Sequence, residues 1–147
     1  DSDDTTFIHG DFSNISLDKK FDLITAFRFF PNAEPFLRRN AMEFISKNLS
    51  ENGILIFNNH KNFWSIPFFI ERLTFRSNGF GMTHNEIVKL VKSNHLKIHK
   101  YKSVGLITNK EKKTILPWNF VSKFENFFYK KFPDHLMGYN VVYLIGK

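Results

Sequence analysis

The sequence predicts an α/β fold with a mostly parallel sheet, and three observations support this prediction. The runs "FDLITAF" and "GILIFNN" are almost continuously apolar, which is typical of strands buried on both faces of a parallel sheet. Between them, residues 36–49 place apolar side chains about every 3.6 positions, which indicates a helix with one face on that sheet. A strand, a crossover helix and a second strand form a βαβ unit, whose strands run parallel.

The first half of the chain begins with a further strand candidate. "TTFIHGDF" contains apolar and β-branched residues and leads into a Gly-Asp turn. A short loop, "SNISLDKK", precedes the "FDLITAF" strand, and Pro35 suits the first turn of the helix that follows. We expect that helix to stop at the turn "SENG", whose last residue, Gly53, opens the "GILIFNN" strand.

The second half predicts two more strands and three helices. "KNFWSIPFFIERLTF" is rich in aromatic residues and predicts a helix with Pro67 near a bend or in the first turn. Thr83 and Glu86 have the spacing of a capping box, and the helix that they start should end near Asn94, which tolerates a left-handed backbone. "LKIHKYKSVGLI" alternates apolar and basic residues as a half-exposed strand does. An amphipathic helix, "PWNFVSKFENFFYKKF", and a last strand, "NVVYLIGK", complete the chain.

The composition narrows the class of protein. With 147 residues, 42% of them hydrophobic, the chain suits one domain or a piece of one. It has no cysteine, which excludes disulfides, thiolate metal sites and a cysteine nucleophile. The longest apolar run, "FWSIPFFI", is too short to span a bilayer, so we expect a cytoplasmic protein. The formal charge of +7 comes from lysines scattered among acidic residues, so we do not expect a nucleic-acid partner.

The order of these elements resembles one family. "FIHGDF", "FDLITAF", a helix, "LSENGILIF", a helix, "THNEIVKLVKSNHLKI", a strand, a helix and "VVYLIGK" are similar to the C-terminal two-thirds of the class I S-adenosylmethionine-dependent methyltransferases. The similarity covers residues 6–147 and depends on the order and spacing of the pieces. It implies a Rossmann-like sheet in the family's strand order 3-2-1-4-5-7-6, mostly parallel with an antiparallel last strand.

The family's most diagnostic features are not in this sequence. These features are a glycine-rich loop after the first strand and an acidic residue after the second; "GFG" at 79–81 lies elsewhere, and we interpret it as a flexible loop. We therefore expect residues 1–147 to be a single partial methyltransferase domain, a fragment of a longer protein without the N-terminal strands. By resemblance, segments 61–82 and 108–138 would cover the substrate, with Phe68, Trp118 and Phe128 as lid candidates.

Ligands of open α/β sheets bind beyond the carboxyl ends of the parallel strands, which selects residues 10–12, 26–30 and 58–60. By resemblance, Asp11 would accept a hydrogen bond from the adenine amino group of the cofactor S-adenosylmethionine. Phe12 would offer a backbone amide or an aromatic edge to the same base. The alternative for Asp11 is that it caps a turn or a helix.

The stretch "AFRFFPN" follows the strand where the family places backbone groups near the methionine end of the cofactor. Ala26 and Phe27 match those positions, since a small residue permits close approach and aromatic neighbours exclude water from a sulfonium. Arg28 either orients an anionic substrate or pairs with Glu34 at the surface, and the sequence leaves both open. A guanidinium stays protonated, so Arg28 is a poor base.

His60, in "NNH", is the candidate general base. An imidazole at a strand's carboxyl end can take a proton from a hydroxyl or amine near neutral pH, which is typically worth roughly 10² to 10⁴ in rate. His84 and His9 rank behind it, and the alternative for any of them is a structural hydrogen bond. No HExxH-like spacing occurs, so no metal is predicted.

The predicted function is methyl transfer to the hydroxyl or amine of a small-molecule acceptor, with His60 and Arg28 as the catalytic residues. The alternative is a non-catalytic α/β domain that binds a protein or a polyanion through basic faces. In the family's order, "FDLITAF" lies next to a strand that this sequence lacks. We therefore expect it to form an apolar edge through which the chain can self-associate, and "TTFIHGD" to lack a partner.

Overall fold

The computed structural model describes residues 5–12, 14–65, 68, 73, 81–104, 118–131 and 138–147. A short 3-10 turn, Phe30–Asn32, follows the first strand. The longer elements within these ranges are β1 (Phe21–Ala26), α1 (Pro35–Asn48), β2 (Leu49–Asn59), α2 (His84–Lys92), β3 (Lys97–Val104), α3 (Trp118–Lys131) and β4 (Asn140–Gly146).

The four strands form one sheet in the order β1-β2-β4-β3. β1 and β2 run parallel, as the crossover helix α1 requires. β4 lies antiparallel to both of its neighbours, so β1, β2 and β3 point in one direction and β4 in the other. This arrangement equals the 4-5-7-6 part of the family's strand order, so the predicted fold class is confirmed.

The core lies where α1 and α2 pack side by side against the sheet. The Ser46 hydroxyl on α1 donates to the carbonyl oxygen of Asn94 just after α2, at 2.9 Å, and so joins the two helices. In the sheet, the rings of Phe57 and Tyr143 stack with their centroids 5.2 Å apart. The buried side chains of this core include Ala41, Met42 and Ile45 of α1, Leu55 and Phe57 of β2, Ile87, Leu90 and Val91 of α2, and Val141, Tyr143 and Ile145 of β4.

β2 begins earlier than the sequence predicts, because "SENG" is part of the strand. Phe21 pairs with Leu49, whereas Leu23 pairs with Ile54, so the register shifts across this stretch. A Cβ at Gly53 would lie 2.7 Å from the backbone oxygen of Phe21, so a side chain would force the two strands apart. The glycine therefore serves the close approach of β1 rather than a turn between helix and strand.

The N-terminal strand prediction is wrong, because residues 5–9 have no regular structure. Phe7 is 92% exposed and Ile8 59% exposed. The backbone of an extended segment needs a neighbouring strand to satisfy its hydrogen bonds, and this segment pairs with none of the four strands described here. The accompanying expectation, that "TTFIHGD" would lack a sheet partner, agrees with this arrangement.

The capping box of α2 is confirmed. The backbone N–H of Glu86 donates to Thr83 Oγ1 at 3.2 Å, and the backbone N–H of Thr83 donates to Glu86 Oε2 at 2.7 Å. The left-handed residue at the other end is His95, with φ 58°, and not Asn94 as predicted. Asn94 instead donates from Nδ2 to the carbonyl oxygen of Leu90 at 2.8 Å, which satisfies an acceptor at the end of the helix.

The remaining predicted elements fall partly outside the described residues. α3 and β3 lie where the amphipathic helix and the alternating strand were predicted. Most of the predicted helix around Pro67, and most of the "GFG" loop, lie outside the described ranges. Within the described ranges, no helix combines the length and apolar character needed to cross a membrane.

Candidate functional site

The carboxyl ends of β1 and β2 lie side by side, because Ala26 pairs with Phe57 in the parallel register. The loop that leaves β1 and the residues that end β2 therefore meet at one edge of the sheet. This edge brings together two of the three clusters that the sequence selected, residues 26–30 and 58–60. We call it the strand-end site.

Arg28 is held in an unusual backbone conformation at this site. Its φ is 60°, in the left-handed region, which costs a residue other than glycine about 1–2 kcal/mol. Its backbone N–H donates to Asn58 Oδ1 at 2.6 Å, and its carbonyl oxygen accepts from Asn32 Nδ2 at 2.7 Å. Two asparagine side chains thus fix the bend of the loop at Arg28.

The 3-10 turn after Arg28 is fixed from the opposite side by Arg38 of α1. Arg38 is buried, and its Nε donates to the carbonyl oxygen of Phe30 at 2.8 Å. A longer bond, 3.4 Å, runs from Nη2 to the carbonyl oxygen of Pro31. Burial lowers the pKa of the Arg38 guanidinium, and the nearby Glu86 carboxylate opposes that effect. The loop is therefore tied to β2 and to α1 at the same time.

His60 follows β2 and lies half-buried beside that loop. Burial is the largest cause that lowers its pKa below the ordinary 6.5, and the charges of Arg28 and Lys61 lower it further. Its Nδ1 is buried and has no hydrogen-bond partner among the described residues. Asn32 Nδ2 lies 3.5 Å from its Nε2, at the limit of a hydrogen bond. At neutral pH the imidazole is therefore uncharged and only weakly engaged.

Asn32 connects three parts of the site. Besides contacting Arg28 and His60, it accepts a hydrogen bond on Oδ1 from Lys61 Nζ at 3.2 Å. The pairing of Arg28 with Glu34, which the sequence left open, is not found among the ion pairs of the described residues. The guanidinium of Arg28 instead extends from an exposed position beside His60.

The "GDF" segment lies next to the same loop through the side chain of Phe12. Its ring packs edge-on against Phe29, with centroids 6.1 Å apart, and tilted against Phe44 at 5.9 Å. Because the ring is packed against Phe29 and Phe44, the backbone amide of Phe12 is the better candidate for contact with the adenine base proposed from the sequence. Asp11 is exposed, and its carbonyl oxygen accepts from the backbone N–H of Asn14 at 2.9 Å, which forms a turn.

The end of β1 is only partly enclosed. Ala26 is half-buried, and the side chain of Phe27 is 57% exposed. Phe29 and Phe30 pack against each other with centroids 5.3 Å apart, and Phe30 is fully buried. The edge-to-face pair of Phe29 and Phe30 therefore anchors the loop in the core, and Phe27 is the aromatic residue of this stretch that stays at the surface.

Asn62, two residues after His60, contacts the ends of both predicted lid segments. It forms a bridge with Met82, which brings the two ends of segment 61–82 together. Its side-chain Nδ2 donates to the carbonyl oxygen of Gly138 at 2.9 Å, at the end of segment 108–138. Both segments therefore begin or end at the strand-end site.

The individual lid candidates have different outcomes. Phe68 is 2% exposed and packs against Phe63, with centroids 6.0 Å apart, so it is an interior residue in this structure. The side chains of Trp118 and Phe128 lie outside the described residues.

The other candidate histidines lie in different settings. His84 Nδ1 is 3.0 Å from the hydroxyl of Tyr143, and its ring lies 4.9 Å from that of Tyr101, so its contacts are those of a structural residue. His9 belongs to the exposed N-terminal segment. Among the described residues, no group of three or more His, Asp or Glu side chains is placed to hold a metal ion.

Sequence reasoning selected Arg28 and His60 but missed the residues that position them. Asn32, Asn58 and Arg38 fix the loop through hydrogen bonds to its backbone. The sequence did contain one signal for Arg38, since a charged residue on the buried face of an amphipathic helix requires a partner. The two asparagines gave no comparable signal.

The sheet order, with a parallel pair of strands and an antiparallel last strand, is that of the fold of the S-adenosylmethionine-dependent methyltransferases. Such an enzyme from Clostridium acetobutylicum matches with a TM-score of 0.56 at 15% identity, over 93% of this chain and 62% of its own. One from Thermotoga maritima matches with a TM-score of 0.61 at 16% identity, over 94% and 61%. Magnesium protoporphyrin IX methyltransferase from Synechocystis, solved with bound SAH, matches with a TM-score of 0.52 at 11% identity, over 95% and 49%.

The chain thus spans 62% or less of the length of each of these three structures. No family model matches the sequence, and no curated protein matches it. The relationship to the methyltransferases is therefore one of fold.

Proposed function

We propose that this chain is part of an enzyme that transfers a methyl group from S-adenosylmethionine to a hydroxyl or amine of a small molecule. The observation that carries the proposal is a half-buried imidazole with a lowered pKa, His60, at the strand-end site of a methyltransferase-type sheet. Perturbed titratable groups at such edges are typical of functional sites. In cells, we expect the enzyme in the cytoplasm.

The residues present fit the C-terminal part of a cofactor site. Asp11 is exposed, and its carboxylate would accept a hydrogen bond from the adenine amino group. The ring of Phe12 is packed against Phe29 and Phe44, so its backbone amide would contact the adenine base. Ala26 and Phe27 would line the methionine end, where the small side chain of Ala26 leaves the backbone open to close approach. His60 Nε2 has only the 3.5 Å contact to Asn32 Nδ2, so it is the ring nitrogen that could meet a ligand at this edge. When bound, the cofactor supplies an electrophilic methyl group on a sulfonium.

His60 would act as the general base. The proton lost by the acceptor hydroxyl or amine would pass to Nε2, since Nδ1 is buried. The lowered pKa keeps His60 in its proton-accepting form at neutral pH. Arg28 and Asn32 would align the acceptor, and alignment is the main demand of a direct displacement. The segments 61–82 and 108–138, whose ends meet at Asn62, would cover the acceptor.

Cofactor binding tests the first half of the proposal. In the full-length protein that contains this chain, Asp11→Ala should weaken binding of S-adenosylmethionine by roughly 1.5–3 kcal/mol, because a hydrogen bond to a charged acceptor is lost. Isothermal titration calorimetry measures this, and Asp18→Ala, another exposed carboxylate in the following loop, serves as the matched control. Equal affinities for wild type and Asp11→Ala would remove Asp11 from the site. Absence of any cofactor binding would favour the non-catalytic alternative.

Turnover tests the role of His60. His60→Ala should lower turnover by roughly 10² to 10⁴ while cofactor affinity is retained, because a general base acts on the reaction and not on cofactor binding. His99→Ala, an exposed histidine on β3, is the control. Turnover that does not change in His60→Ala would return His60 to a structural role.

A further inference from the structure

We propose that the methyl acceptor carries an anionic group, a carboxylate or a phosphate, which Arg28 and Lys61 bind beside His60. This inference rests on the proposed function for the identity of the ligand as an acceptor. The anion site itself does not depend on it, because Asn32 holds both the backbone of Arg28 and the side chain of Lys61 through hydrogen bonds within this chain.

The first support is the unfavourable backbone conformation in which the fold holds Arg28. A left-handed backbone at a residue with a long side chain is unfavourable, and such outliers gather at functional sites. Here both backbone polar groups of Arg28 are held by side chains, those of Asn58 and Asn32. The guanidinium of Arg28 is exposed, and it lies close enough to His60 for its charge to lower the pKa of that imidazole.

The second support is that a second cation, the ammonium of Lys61, is hydrogen-bonded to the asparagine that also holds the backbone of Arg28. Lys61 Nζ donates to Asn32 Oδ1, while Asn32 Nδ2 donates to the carbonyl oxygen of Arg28. One amide side chain therefore connects both basic residues. Guanidinium and ammonium groups are the side-chain groups that commonly bind carboxylates and phosphates.

The third support is the missing counter-charge. In the ranges that the structure covers, no carboxylate forms an ion pair with Arg28 or Lys61. Both charges act on the same imidazole, because each lowers the pKa of His60. Two positive charges that no carboxylate of the described residues pairs with therefore lie near one imidazole, and an anion bound there would neutralise them.

In this arrangement, two groups of the same ligand are bound by different residues. The anionic end would be bound by Arg28 and Lys61, and the hydroxyl or amine at the other end would face Nε2 of His60. An acceptor without the anionic group would lose orientation as well as affinity, because binding and alignment come from the same contact.

Matched small molecules test the anion site in the full-length protein without cofactor. The probes are 4-hydroxyphenylacetate, phenyl phosphate and the neutral 4-hydroxyphenylacetamide, with affinities measured by calorimetry or ligand-observed NMR. We expect one of the two anions to bind at least about tenfold more tightly than the amide, and added salt to reduce the difference. The stronger of the two anions identifies the group. Equal affinities for all three probes would overturn the inference.

Variants locate the binding. Arg28→Asn keeps a residue that tolerates the left-handed conformation but removes the charge, and Lys61→Gln removes the second charge. Each should reduce the preference for the anion by about tenfold, whereas Lys89→Gln, an exposed lysine on α2, should leave it unchanged. An anion preference that survives both Arg28→Asn and Lys61→Gln would also overturn the inference. Anion binding in a protein that fails to bind S-adenosylmethionine would sink the proposed function while the anion site stands.

Discussion

Arg28 and His95 are the residues other than glycine that adopt a left-handed backbone in the described part of the chain, and they do so for different reasons. His95 terminates α2, where the backbone N–H of Leu96 donates to the carbonyl oxygen of Val91 at 3.1 Å. That bond closes a Schellman-type helix end, in which any residue tolerant of the left-handed region would serve. Arg28 terminates no helix, and its conformation serves the strand-end site.

Replacing each of these residues by glycine separates the two roles. Arg28→Gly and His95→Gly should each raise the free energy of unfolding by about 0.5–1 kcal/mol, because glycine adopts φ near 60° without the cost of a Cβ. His95→Gly should leave turnover intact, whereas Arg28→Gly should lower it. Denaturant unfolding together with an activity assay checks both. A loss of stability in Arg28→Gly would show that its side chain, rather than its backbone, decides the energetics there.

The lowered pKa of His60 has a consequence for stability against pH. In the unfolded chain His60 takes up its proton near the ordinary 6.5, whereas in the folded chain it does so at lower pH. Between these two values the unfolded state binds more protons, so the free energy of unfolding falls as pH drops below about 6.5. His60→Gln should show a shallower fall over this range in urea titrations. Parallel curves for variant and wild type would contradict the assigned shift.

At the residue scale, the sequence allowed the charged and aromatic residues of the site to be predicted, but not the side chains that hold them in position. His60 and Arg28 could be selected as site residues from the sequence, because ligands bind at the carboxyl ends of the strands in parallel sheets. The roles of Asn32 and Asn58 depend on a contact between a loop and a strand 30 residues apart, from Arg28 to Asn58. No local pattern encodes such a contact, so it could be found only in the folded chain.

At the scale of elements, β1 forms an edge of the sheet. Leu23 is 57% exposed and Phe21 39% exposed, and one side of the strand carries no pairing with the other strands described. An exposed apolar edge is a template for pairing with another chain. The edge predicted from the sequence is therefore present, and self-association through it remains a prediction.

A charge on β1 should suppress that self-association. Leu23→Lys should shift the isolated 147-residue chain from higher oligomers towards monomers in light scattering, because a charged edge strand pairs poorly. Phe36→Lys, which adds the same charge at an exposed phenylalanine on α1, should have no such effect. Equal behaviour of the two variants would remove the edge as the interface.

Elements with a continuous apolar run or a cap could be predicted closely, and those that depend on a neighbour could not. The apolar part of β2 from Gly53 onward, β4 and the start of α2 follow from composition and from the Thr83–Glu86 spacing. "TTFIHGDF" has the same composition as a strand, yet it forms none, because strand structure needs an adjacent strand as well as a suitable sequence.

For the whole molecule, the strand order places the described residues on one side of a methyltransferase sheet. The chain covers 62% of the Clostridium acetobutylicum structure, and the family's glycine-rich loop is not among these residues. The 147-residue chain alone should therefore bind S-adenosylmethionine weakly or not at all. A cofactor titration of the isolated chain checks this, and micromolar binding would require a different cofactor site.

β4 comes last of the four strands along the chain, yet it lies between β2 and β3. Gly146 pairs with Ile54 on one side and with Lys97 on the other, so both neighbours depend on the same late residues. During translation, β2 and β3 are synthesised well before the strand that joins them leaves the ribosome. The nascent chain therefore has unpaired edges on β2 and β3 until residues 140–146 emerge, and such edges are open to pairing with other chains during synthesis.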